Sequence, residues 1–150
     1  MRARLFPLVL VLAACADSSG PTDPTTALAL ARARWFGSGV SSYQYTITRV
    51  CECVAESTGP VVIEVRDNTV QIRRYVSGVS VDPQFADLFT TVPGLFDLID
   101  EAIYTPAAGL AVRYDGTYGY PVSIQIDWVA GAVDDEVSYH ITEFSVLDPP

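Results

Sequence analysis

The chain has 150 residues and a formal charge of −9, from 9 basic against 18 acidic residues, and it contains no lysine. That length supplies one domain with a sizeable core. The acidity repels phosphate backbones and anionic headgroups, which excludes nucleic acid and charge-driven membrane binding and favours solubility.

The first segment precedes any fold. Met1-Arg2-Ala3-Arg4 is basic, Leu5 to Leu12 is apolar, and Leu12-Ala13-Ala14-Cys15 follows. The apolar run contains Pro7 and falls short of the about 20 residues that span a bilayer. A short apolar core between arginines and small residues is an export signal and is set aside from fold reasoning. It resembles a bacterial lipoprotein signal peptide. The resemblance implies cleavage after Ala14 and acylation of Cys15 as the new N-terminus; a plain secretory signal with a chance cysteine is the alternative. Two or more acyl chains anchor stably, at about 0.8 kcal/mol per buried methylene. Ala16 follows the cysteine in place of an acid. By resemblance to the enterobacterial sorting rule, this favours the outer membrane in a two-membraned cell. The expected mature chain has 136 residues (150 minus 14), with 7 arginines against 18 acids after the loss of Arg2 and Arg4, a formal −11.

Residues 15–25 are small, polar and proline-rich, and read as a tether after the acylated cysteine. A single domain is expected over 26–146. Its first element is a helix over Thr26–Phe36, with Leu28, Ala31 and Trp35 on one face, Thr25 or Thr26 as cap and Gly37 as stop. A strand over Ser42–Val54 places Tyr43, Tyr45, Ile47, Arg49, Cys51 and Cys53 on one face. Pro60–Arg66 and Thr69–Val76 form a hairpin about Asp67-Asn68. Gly78–Ala86 lacks periodicity. A second helix covers Pro93–Tyr104, capped by Thr91, with Leu95, Leu98, Ile99, Ala102 and Ile103 in an apolar stripe that Pro106 ends. Strands follow at Leu110–Tyr114, ending in the turn pair Asp115-Gly116, then Pro121–Trp128 and Val137–Phe144. The order α-β-β-β-α-β-β-β predicts an α+β fold: an antiparallel sheet of about six strands with two helices on its dry face. The repeated αβββ order suggests a duplication that no residue-level identity supports.

Few residues suggest chemistry. Cys51-Glu52-Cys53 is the sharpest motif. Export places the thiols where disulfides persist. Residues two apart in a strand sit about 6.6 Å apart at Cα, the upper edge for a disulfide, so a bond there needs a bend at Glu52. The readings are a local structural clip, a free thiol pair, or a thiol redox or soft-metal site. Zinc is undersupplied, because His140 is the single histidine. That scarcity, with no lysine and no nucleophile motif, argues against an enzyme. His140 lies on the polar side of its strand and reads as exposed. Asp134-Asp135-Glu136 reads as a solvated turn, lacking the spacing of a calcium loop. Asp127 and Glu143 are a conjectural carboxylate pair on neighbouring strands.

Tyr114, Tyr118 and Tyr120, with Trp128, form an expected aromatic group around Gly119 and Pro121. It is either a recognition surface, with Asp127 beside it, or packing over the sheet end. Trp35, Tyr43-x-Tyr45, Arg49, Cys51-x-Cys53, the Val61–Val65 strand, and Tyr114-Asp115 through Tyr118-Gly119-Tyr120-Pro121 to Ile126-Asp127 together resemble a family of bacterial lipoproteins without assigned function. The likeness runs from about Arg32 to Phe144. It implies a compact α+β domain outside the cytoplasm and carries no catalytic residues. The functional expectation is a lipid-anchored, non-catalytic binding or scaffolding domain with no cofactor, held to the membrane through Cys15 and facing an envelope protein or ligand. The alternatives are a redox or soft-metal protein using Cys51 and Cys53, and an inhibitor of an envelope or secreted enzyme.

Overall fold

The computed structural model describes residues 23–148. The expected export signal, Cys15 and the part of the expected tether through residue 22 lie outside the described residues, as do Pro149 and Pro150.

Helix α1 (Pro24–Gly37) begins two residues before the expected start. Asp23 is its cap, and its carboxylate accepts from the Thr26 N–H at 2.8 Å. Pro24 occupies the first turn, where its missing N–H costs nothing. Residues 23–25 therefore depart from the tether expected over 15–25: Asp23 caps the helix and Pro24 begins it. Leu28, Ala31 and Trp35 are the buried residues of α1, as the spacing predicts.

The sheet has six antiparallel strands: β1 (Tyr43–Val50), β2 (Val61–Arg66), β3 (Thr69–Tyr75), β4 (Gly109–Tyr114), β5 (Pro121–Asp127) and β6 (Val137–Val146). They lie in the order β3-β2-β1-β6-β5-β4, two three-stranded meanders joined where β1 pairs β6. Asp67 and Asn68 both take left-handed φ, the conformation a two-residue hairpin turn demands. Helix α2 (Val92–Tyr104) follows a 3-10 segment at Pro83–Leu88 that Asp82 caps.

One face of the sheet is dry. Tyr43, Tyr45, Ile47, Val61, Ile63, Ile124, Tyr139 and Ile141 are buried there, in one cluster with α1 and with Val92, Leu95, Phe96 and Ile99 of α2. The other face is wet and hydroxyl-rich: Thr48 pairs with His140, which is exposed as expected and is followed across the sheet by Ser123 and Arg113. Arg32 ties the helices together, reaching Asp97 at 3.0 Å and Asp100 at 2.9 Å. The Asp97 arm is exposed and the Asp100 arm half-buried; solvent-accessible pairs are worth about 1 kcal/mol or less, so the apolar layer carries the packing.

Two departures from simple alternation matter. β1 ends at Val50 and not at Val54, because the chain bends through Cys51–Cys53. In β6 the register slips by one residue, and Glu143 takes a φ of 53°. This bulge turns Phe144 onto the dry face, where its ring meets Trp35 at 6.0 Å and Tyr43 at 5.8 Å. Glu143 turns the other way and accepts from the Thr46 hydroxyl at 2.8 Å.

The start of α2 is fixed by side chains reaching up from the sheet. The Tyr43 hydroxyl accepts from the Val92 N–H at 2.9 Å. The Tyr45 hydroxyl donates to the Thr90 carbonyl, and Arg73 Nε donates to the Phe89 carbonyl at 2.6 Å. Burial pushes the Tyr43 hydroxyl up to about 12 and Tyr45 well above the ordinary 10.0. Stability gained by keeping these phenols neutral is complete below pH 10 and drains as pH rises toward 12, since the unfolded chain releases those protons first. Denaturant unfolding between pH 8 and 12 is expected to show that loss, and Tyr43→Phe is expected to flatten it. At pH 7, Tyr43→Phe leaves the buried Val92 N–H unpaired and lowers stability by about 1–3 kcal/mol.

Candidate functional site

The two ends of the sheet differ. At the end where β1 begins, the β4–β5 loop folds against α1. Asp115 builds the loop: its carboxylate accepts from the Thr117 N–H at 2.9 Å and the Tyr118 N–H at 2.6 Å. The Gly119 N–H returns to the Asp115 carbonyl at 3.1 Å. The connection is therefore a loop over 115–120, not the tight Asp115-Gly116 pair, because the aspartate side chain closes a wider turn than an isolated hairpin.

Gly119 takes a φ of 83°, and a Cβ there would lie 2.5 Å from the Ala31 carbonyl oxygen of α1. Only glycine lets the loop approach the helix this closely. Tyr118 and Tyr120 are held against Phe144, at 5.5 and 4.3 Å between ring centroids. Tyr114 packs near Phe96 at 6.5 Å, and burial pushes its hydroxyl up to about 12. The Tyr-Gly-Tyr-Pro motif thus closes the core over the helix and the β6 bulge.

Trp128 is not part of this group. It follows the far end of β5, roughly 23 Å along the strand from Pro121 at about 3.3 Å per residue. Asp127 pairs with Gly109 at that far end. It lines a groove of about 370 Å³ with Glu136, and its Oδ1 is buried without a hydrogen-bond partner. The conjectured Asp127–Glu143 pair does not form. Ile126 pairs with Val137, so Asp127 lies near Glu136 while Glu143 sits at the opposite end of β6. No cluster of three or more His, Cys, Asp or Glu side chains among the described residues is placed to hold a metal ion.

The other end, where β1 stops, is the exposed one. Val50, Val54, Val76, Val79, Val129 and Val133 all protrude there, between 55 and 82% exposed. The surrounding loops, 51–60, 76–82 and 128–136, carry six acids (Glu52, Glu56, Asp82, Asp134, Asp135 and Glu136) and no basic residue. A groove of about 590 Å³ opens between two of these loops, walled by Val54, Tyr75, Val79 and Phe85 with Glu56 and Asp82 at its polar rim. Hydrophobicity patterning did not single out these valines, since each sits in a loop or at a strand end, where neither period applies.

Cys51 and Cys53 turn beside that groove. The Cys53 N–H donates to the Cys51 carbonyl at 3.0 Å, which draws the Cα atoms to 5.4 Å, and the sulfurs are joined as a disulfide. Arg49 reaches both sulfurs. The pair is thus in a bend, and the strand spacing that made a bond difficult does not apply to it.

The loop and groove respond differently to substitution. Gly119→Ala is expected to lower unfolding stability by about 2–4 kcal/mol through the left-handed φ and the helix clash. Gly116→Ala in the same loop, where a Cβ meets nothing within 4 Å, is expected to stay within about 0.5 kcal/mol of the parent. Tyr120→Ala, which strips a ring from Phe144, costs about 1–3 kcal/mol. Urea titrations of the three variants check the ranking.

Comparison with known proteins places this architecture in a sequence family but not beside a characterised protein. No curated protein and no solved structure matches the chain. A family of unknown function, DUF6174, matches residues 27–146, from the first turn of α1 to the last residue of β6, and the chain belongs to that family.

Proposed function

We propose that this is a lipid-anchored, extracytoplasmic binding domain. In this reading Cys15 carries the acyl chains, the residues before Asp23 are the tether, and the domain's part is to hold a partner at the cell envelope. The observation that carries the binding part is the Val50 end of the sheet. Val54 and Val79 line an open apolar groove there, Val50, Val76, Val129 and Val133 protrude from the same end, and the loops bring only negative charge. Exposed apolar surface with a polar rim is the usual mark of an interaction site.

The chemistry of the groove selects the partner. Val54, Val79 and Phe85 favour an apolar side chain. Glu56 and Asp82 favour a basic one next to it. The fitting partner is a protein segment in which apolar residues alternate with lysine or arginine. The tyrosines of the 118–121 loop are not the docking surface, because they are committed to Phe144.

A photo-crosslinking residue at Val79 tests the site in growing cells. Adducts to a basic protein are expected from position 79 and not from Thr142 on the open sheet face. Equal yields from both positions would count against the groove. Separately, labelled palmitate is expected to enter the parent chain, and Cys15→Ser is expected to abolish labelling and release the protein from membranes.

A further inference from the structure

Arg49 is a half-buried cation at the Val50 end, and the oxidised structure sets it against neutral acceptors only. Its Nη1 lies 2.9 Å from Cys51 Sγ and 3.1 Å from Cys53 Sγ. Its Nε reaches the Tyr139 hydroxyl at 3.3 Å, and the guanidinium lies 5.9 Å from the Tyr139 ring centroid. The Ser57 carbonyl is a further acceptor at 3.5 Å. The ion pairs found among the described residues belong to Arg32 and Arg66, and Arg49 meets no carboxylate. In a chain with twice as many acids as arginines, a half-buried guanidinium aimed only at neutral acceptors asks what it is built to hold.

A closed disulfide is a neutral, weak acceptor. A thiolate is a full anion, and a neighbouring arginine stabilises it strongly. Arg49 is therefore complementary to the open, reduced pair more than to the closed one. We propose that Cys51 and Cys53 are a reversible thiol–disulfide pair that oxidises dithiols in a partner protein, with Arg49 holding the thiolate released on opening. The proposal stands on the Arg49 contacts and does not depend on the acyl anchor or on the groove's partner.

Exposure assigns the two sulfurs different parts. Cys53 is exposed and Cys51 is half-buried. A partner thiolate attacks Cys53 Sγ; the Cys51–Cys53 bond breaks, and Cys51 leaves as a thiolate against Arg49 Nη1. The partner's second thiolate then attacks its own sulfur in the mixed disulfide and expels Cys53 as a thiolate. Two electrons pass from the partner dithiol, which becomes a disulfide, to the cysteine pair. The two thiol protons go to solvent or to the new thiolates. Stabilising the leaving thiolate speeds the first step, and stabilising the reduced form makes the pair more oxidising. In this scheme Arg49 is a positioning and charge-stabilising residue.

The test uses the full chain carrying Cys15→Ser, so that only the pair reacts. After reduction, iodoacetamide alkylation is followed by intact mass against pH, with free glutathione as the internal reference. The expected result is half-maximal rate at a lower pH than glutathione shows. At pH 7, alkylation is expected to be about tenfold slower in Arg49→Gln, with most of the rate restored in Arg49→Lys. The oxidised chain, mixed with millimolar reduced glutathione, is expected to give a mixed disulfide on Cys53 and not on Cys51. A wild-type pH profile that coincides with glutathione's, or a bond that glutathione leaves closed, overturns the proposal. If Arg49→Gln does not fold, as judged by circular dichroism, the wild-type profile and the mixed-disulfide map decide it alone.

Discussion

The structure depends on a short bridge between the sheet and the start of α2. Tyr43 and Tyr45 stand two apart on β1 and pass their rings through the apolar layer to opposite partners: one accepts from the Val92 N–H and the other donates to the Thr90 carbonyl. Arg73, from two strands away, takes the Phe89 carbonyl. The first N–H groups of a helix have no partner within it, and buried polar backbone must be paired. Tyr43 meets that need for the first helical N–H, and Tyr45 and Arg73 pair the carbonyls that lead into the helix. They also fix where α2 begins, and hence which stripe of it faces the sheet. Trp35 is drawn into the same arrangement, edge-on to Tyr43 at 5.1 Å. One strand thereby sets the position of both helices.

That arrangement divides the molecule by task. The end where β1 starts concentrates aromatic rings, close backbone approaches and buried hydroxyls, all satisfied internally. The far end is made of loops with protruding valines, unmatched carboxylates and the cysteine bend. Interaction sites need surface not already used for folding, and loops held by a rigid scaffold supply it. The distinctive aromatic motifs, Tyr43-x-Tyr45 and Tyr118-Gly119-Tyr120-Pro121, thus belong to the folding end. A motif can be conspicuous because backbone and ring geometry demand it.

This explains how far the chain could be read before its structure. The helices, the six strands and their antiparallel pairing follow from period and turn residues, because each is a local property. Leu28, Ala31 and Trp35 declare their shared face by spacing alone. What escaped was set by register and by contact across the chain. Glu143 carries no mark that it will take a left-handed φ, yet that single residue decides which way Phe144 faces. Trp128 looks adjacent to Tyr120 when the sequence is scanned, and a seven-residue strand keeps them apart. Gly119 is visible as a turn residue, but its approach to the Ala31 carbonyl is a meeting of residues 88 positions distant in sequence. Asp23-Pro24 has the composition of a linker and the chemistry of a helix cap; composition alone favoured the wrong one. Arg49 shares a strand face with the cysteines, but only the bend after Val50 brings both sulfurs to its guanidinium.

The acidity of the chain bears on this last point. With 18 acids available and no lysine to engage them, an arginine near the surface has carboxylates in easy supply. Glu52 lies between the two cysteines in sequence, one residue from either sulfur-bearing position. The structure nonetheless gives Arg49 the sulfurs and Tyr139, and leaves the Glu52 side chain in solvent. The bend after Val50 leaves Glu52 exposed while both sulfurs flank the guanidinium. A Cys-x-Cys segment with an acid in the middle would otherwise place a negative charge where, on the proposed exchange, a thiolate forms. The separation leaves the sulfurs, the Tyr139 hydroxyl and the Ser57 carbonyl as the partners of the guanidinium, and Glu52 at the surface.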